Sequence, residues 1–101
     1  MMTDPQFKEL FEDCLEQIES LSKAKGSEYS PDTDRLQNFK EGSKVSGLPV
    51  KTYAWALVCK HITSVRQHNL GEVILSQEQL REKYGDIRLY TILLEGIERY
   101  A

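Results

Sequence analysis

The sequence predicts an all-α domain, a four-helix bundle-like subunit completed by homo-oligomerisation. Three observations carry that expectation. Four segments repeat apolar residues at steps of three and four, the period of a helix with one buried side. Residues that start and stop helices stand at the ends of those segments. No stretch alternates apolar and polar residues long enough to make a convincing strand. The 101 residues are enough for one core, so residues 1–101 are expected to form a single domain.

Asp4-Pro5 opens the first helix as an N-cap followed by proline at N1, where the missing N–H costs nothing. Phe7, Leu10, Phe11, Cys14, Leu15, Ile18 and Leu21 then form one apolar stripe, expected to be buried. Gly26 suits the residue just past a helix end, so the helix should stop near Lys25. A polar loop follows from Ser27 to Asp32, broken by Pro31. A shorter helix is expected from Asp34 to Ser46, anchored by Leu36, Phe39 and Val45 and stopped by Gly47. Pro49 can open the third helix at N1, with Val50, Ala54, Leu57, Val58, Ile62 and Val65 on one side. After a connection from Asn69 to Leu75, Ser76 and Gln79 have the spacing of a capping box. The last helix is then expected from Gln77 to Arg99. It has two apolar stripes: Leu80, Tyr84, Ile87, Thr91 and Leu94 on one side, and Leu89, Leu93 and Tyr100 nearly opposite. The second stripe is the reason for expecting a homo-oligomer.

Composition excludes several classes. Charged residues reach 29% and mean hydropathy is -0.50, which suits a folded soluble domain and argues against disorder. No apolar run approaches the roughly 20 residues that span a membrane. The opening MMTDPQFKEL has neither a basic start nor an apolar core, so no secretory leader is expected and the protein reads as cytoplasmic. Cys14 and Cys59 lack metal or redox spacing and read as buried free thiols of a reducing cytosol. Net charge is -3, but its distribution is uneven. Residues 1–24 hold six acids and two bases, whereas Leu48 to Gly71 holds Lys51, Lys60, Arg66, two histidines and no acid. That local positive stretch suits a small phosphate-bearing ligand and is too narrow for duplex nucleic acid.

Candidate site residues fall in three places. Lys25, Arg35, Tyr29 and Asn38 flank the loop before the second helix, whose free N–H groups suit an anion. Asp32-x-Asp34 lacks the later glycine and glutamate of a calcium loop. Lys60 and His61 lie mid-helix, the lysine at the edge of the apolar stripe and the histidine within it. Glu82 and Asp86 stand one turn apart in line with Leu89 and Leu93, so they face the interior or a partner. There they need either a base or a hard cation such as Mg²⁺, with Glu28 or Asp34 as a further ligand. Glu12, Glu16 and Glu19 project about 180° from the first helix's apolar stripe and are expected to face solvent.

The quoted pattern covers most of the chain, roughly residues 7–97. It runs Lys25-x-x-Glu28-Tyr29-Ser30, Asp34-Arg35-Leu36-x-Asn38-Phe39, Gly47, Lys60-His61-x-x-Ser64 and Glu82-x-x-x-Asp86-x-x-x-Tyr90-x-x-Leu93-Leu94. It resembles small phage-encoded all-helical proteins of the nucleotide-modification-associated domain. More distantly, it is similar to the MazG-like all-α nucleoside triphosphate pyrophosphohydrolases. The resemblance implies a dimer or tetramer in which carboxylates hold Mg²⁺ against a nucleotide triphosphate, releasing pyrophosphate and a monophosphate. It implies phosphate contacts from Lys25, Arg35, Lys60, His61 and Asn38, with the base on Tyr29. The MazG-type metal motif is E-E-x-x-E on one helix and E-x-x-D on the next. Here Glu82 and Asp86 are spaced E-x-x-x-D, Lys83 replaces an expected glutamate, and the third helix has no acid. Glu12-Asp13-x-x-Glu16 imitates the first half but lies earlier in the chain. The expectation is a nucleotide-binding protein with a degenerate pyrophosphohydrolase site. The alternative is a non-enzymatic phage protein that binds and inhibits a host component.

Overall fold

A computed structural model describes residues 1–29 and 34–101, with the side chains of residues 25–29 left aside. The described residues form four helices and no strand: α1 (Asp4–Tyr29), α2 (Gln37–Ser46), α3 (Val50–Asn69) and α4 (Gln77–Tyr100). The all-α, four-helix expectation therefore holds.

The ends of the helices follow local chemistry. Ser76 Oγ accepts the Gln79 N–H at 3.1 Å and Gln79 Oε1 accepts the Ser76 N–H at 2.9 Å, completing the expected capping box. Gly47 stops α2 in the left-handed conformation, φ 75°, and its N–H bonds the Ser43 carbonyl at 2.9 Å. Several boundaries differ from expectation, beginning with α1, which starts at Asp4 itself, Thr3 Oγ1 accepting the Gln6 N–H at 3.3 Å. α1 passes through Gly26 to Tyr29, because one interior glycine costs only about 1 kcal/mol against the turn that follows. α2 begins at Gln37 because the Asp34 carboxylate takes the Leu36 N–H at 2.9 Å and closes a turn first. Pro49, with ψ 149°, is the N-cap of α3 and not its first helical residue.

α3 and α4 form an antiparallel pair. Lys51 is ion-paired with Glu98 near one end, and Ile62, Val65 and Arg66 meet Tyr84 and Ile87 towards the other. α2 packs against α3, and its Phe39 reaches Tyr90 of α4. The core lies among these three: Leu36, Phe39, Ala54, Val58, Leu94 and Ile97 are buried, and Tyr53, Leu57, Tyr90 and Leu93 pack against them. Gly42 admits the Tyr53 ring against the α2 backbone, where any Cβ would collide with it.

α1 is attached differently. Asp13 reaches Arg81 and Gln17 reaches Arg81, Gly85 and Arg88, so α1 and the first half of α4 run in the same direction. The row facing α4 is the Asp13–Gln17 edge, not the apolar stripe. Phe7, Leu10, Phe11 and Leu15 consequently stay about half exposed, contrary to the expectation that they are buried. The stripes of α4 are also reassigned. Leu89 is buried and Leu93 packs on the core, while Tyr84 is 42% exposed. The cysteines are free, but Cys14 is half-buried and Cys59 exposed. Among the described residues no helix is long and apolar enough to cross a membrane.

Candidate functional site

Where α1 diverges from α4, the two helices leave an open cleft of about 540 Å³. Glu16, Gln17, Ser20 and Leu21 line it from α1, and Arg81, Glu82 and Asp86 from α4. Gln17 holds the two walls together. Its amide donates to the Arg81 carbonyl at 3.0 Å and accepts from Arg88 Nη1 at 3.3 Å. Gly85 makes the approach possible, since a Cβ there would lie 2.6 Å from Gln17 Nε2.

Among the described residues the lining is mainly anionic. Its cation, Arg81, donates to Asp13 from Nη2 at 3.1 Å and from Nε at 3.3 Å. Hydrogen bonding to Arg81 holds the Asp13 carboxyl below the usual carboxylate range. Three carboxylates, Glu16, Glu82 and Asp86, therefore face the space against a guanidinium that is largely neutralised. Asp86 also faces α3, with Oδ2 3.8 Å from His61 Nδ1. The His61 ring stacks on Tyr90, centroids 5.4 Å apart at 24°.

Glu82 and Asp86 thus line one cleft, and Asp86 also approaches His61, which does not line it. Arg35 reaches the neighbouring turn of α1, donating from Nη2 to the Ser22 carbonyl at 2.7 Å and to Ser22 Oγ at 2.8 Å. Asn38 is half-buried on α2 and Lys60 is exposed on α3, and neither lines the cleft. Asp34 is committed to the Leu36 N–H and, at 2.7 Å, to Lys40, which holds its carboxyl low as well. The side chains of Lys25, Glu28 and Tyr29 lie outside the described residues. Glu16 is exposed, as expected, and it also lines the open cleft because α1 presents its polar edge to α4. A signal existed in Gln17, which occupies a three-and-four-step position between Cys14 and Leu21 on an otherwise apolar row.

Among the described residues no three His, Cys, Asp or Glu side chains converge to hold a metal by themselves. The donor set is nonetheless all oxygen and open to solvent. It fits Mg²⁺ shared with a ligand's phosphates, because that ion keeps its waters and commonly takes only one or two carboxylates. No protein-family model, curated protein or solved structure matches the chain.

Proposed function

We propose that the α1–α4 cleft binds a phosphate-bearing nucleotide together with Mg²⁺, held by Glu82 and Asp86 with Glu16 at the opposite wall. The observation that carries this reading is the sign of the cleft. A bare phosphate is repelled by three carboxylates, whereas a phosphate that brings a divalent cation is attracted. The resemblance to MazG-like proteins supports the same ligand class, and the cytoplasm of a phage's bacterial host is part of the same proposal. Mg²⁺ would neutralise phosphate charge and orient water, so pyrophosphohydrolysis belongs to the proposal in weakened form. Arg35, anchored on Ser22 beside the cleft residue Leu21, is retained as a proposed phosphate contact. The proposal includes a homo-oligomer, as expected from the sequence.

Thermal unfolding with nucleoside triphosphates tests the reading. Stabilisation should require both nucleotide and Mg²⁺, reaching about 2.7 kcal/mol when free ligand is a hundredfold above Kd. Glu82→Gln and Asp86→Asn should each abolish that stabilisation, with pyrophosphate release reporting any hydrolysis. If no nucleotide stabilises the protein with or without Mg²⁺, the reading fails. The second reading, an interaction protein acting on a host component, then takes its place. The exposed acids Glu9, Glu12 and Glu19 on α1 favour a basic partner for it.

A further inference from the structure

The side of the molecule away from the cleft carries a surface of opposite character. On α1, Phe7 and Phe11 stand roughly 140–180° around the helix from Glu16, and on α4 Tyr84 stands roughly 160° from Glu82 and Asp86. Beside Tyr84, Ile62 of α3 opens a shallow apolar groove of about 340 Å³, which Val65 and Ile87 complete. Three helices therefore present one apolar face. Its large side chains Phe7, Phe11, Ile62 and Tyr84 are all between 42% and 54% exposed. Arg88 is placed over the Tyr84 ring, 5.9 Å from its centroid.

The size of the exposed surface says how much should cover this face. The chain exposes 7396 Å². A compact monomer of its mass exposes about 5,900 Å². The excess, about 1,500 Å², is what one subunit of a permanent dimer loses when roughly 3,000 Å² is buried in total. The radius of gyration agrees, at 15.3 Å. About 13 Å is usual for this length.

We propose that a second copy of this chain covers the α1–α4–α3 face in a two-fold dimer. This names the interface for the self-assembly part of the proposed function and does not rest on the nucleotide part. The size of the exposed area argues for a copy, since a second identical face supplies the same area in return. α4 packs against both α1 and α3, so a two-fold axis along α4 sets Phe7 and Phe11 of one copy towards Ile62 of the other.

Light scattering across the micromolar range, with helicity followed by circular dichroism, tests this. The unmodified chain should show twice its 11.7 kDa mass. Phe11→Glu and Tyr84→Glu should each weaken the dimer at least tenfold with helicity unchanged. The smaller Phe11→Ser and Tyr84→Ser replace them if helicity falls. Tyr100→Glu should leave the dimer intact, since Tyr100 stands about 160° around α4 from Tyr84. A single copy at every concentration overturns the face and self-assembly together. A dimer that survives the substitutions at Phe11 and Tyr84, or that dissociates with Tyr100→Glu, overturns the face alone. Nucleotide-dependent stabilisation is read separately and is untouched by either result.

Discussion

The two ends of α4 are held by different physics. Its C-terminal half lies in an apolar core with α2 and α3, where Phe39, Ala54, Val58, Leu94 and Ile97 exclude water from one another. Its N-terminal half is joined to α1 by a buried amide, a guanidinium–carboxylate pair and a glycine contact. Apolar packing is non-directional and large, so the first junction supplies stability. The second junction is directional and each contact is small, so it can hold a defined cleft while contributing little to folding. The proposed site residues Glu82 and Asp86 lie at the weaker junction, where polar groups are already required.

The largest expected difference between the junctions is in truncation. Phe39 is 2% exposed and packs on Tyr90 with ring centroids 6.1 Å apart. Phe39→Ala should cost about 3–5 kcal/mol. Gln17 is 8% exposed, yet Gln17→Ala should cost only about 1–2 kcal/mol, the net worth of its two hydrogen bonds. Urea midpoints of the two variants measure this directly. Equal losses would mean that the polar junction carries as much of the fold as the core.

How much of this was legible in the sequence follows the same division. Periodicity located all four helices. Gly47 and the Ser76–Gln79 box fixed two ends, because those signals act within a few residues. The apolar junction was largely legible too: Leu36, Phe39, Ala54 and Val58 were assigned to inner faces and are inside. The polar junction was not. Gln17 and Arg81 look like surface residues when only their own helix is considered, and their burial or pairing depends on which edge of α1 meets α4. That choice is tertiary, and Gly85 decides it by allowing a close approach. The same choice turned Glu16 into the cleft and left Phe7 and Phe11 outside. On α4 the sequence showed two apolar stripes but not which lay inward.

Two glycines sharpen the comparison at an intermediate scale. A Cβ at Gly42 would collide with the Tyr53 ring, which is fixed against the core, whereas one at Gly85 would meet the amide end of Gln17. A ring in a packed site yields less readily than the end of a flexible side chain. Gly42→Ala should therefore destabilise by about 1–3 kcal/mol despite alanine's better helix propensity. Gly85→Ala should cost less, and its main effect should be faster amide exchange in α1 as the Gln17 bonds are lost. A Gly42→Ala variant more stable than the parent would show that Tyr53 is free to move.

The smallest effect separates the junctions by pH. The Arg81 hydrogen bond lowers the Asp13 carboxyl from its ordinary 3.8, and Lys40 with the Leu36 N–H lowers that of Asp34. A carboxyl lowered in the folded state adds stability fully above its unfolded value, and that stability is lost as pH falls through the folded value. Both contributions are therefore intact at neutral pH and disappear in acid below about pH 4. They differ in what they hold. Asp34 and Lys40 are six residues apart and close a local turn, whereas Asp13 and Arg81 connect two helices. On acidification, amide protection factors, in which the intrinsic pH dependence of exchange is divided out, should fall first along α1, while α3 and the C-terminal half of α4 stay protected. Asp13→Asn should lower the α1 protection factors at neutral pH towards their acid values and flatten their pH dependence. Both groups are exposed, so salt should weaken the effect in the parent and change little in the variant. A uniform fall in protection factor across all four helices would instead mean that α1 and the core open as one unit, with no weaker junction between them.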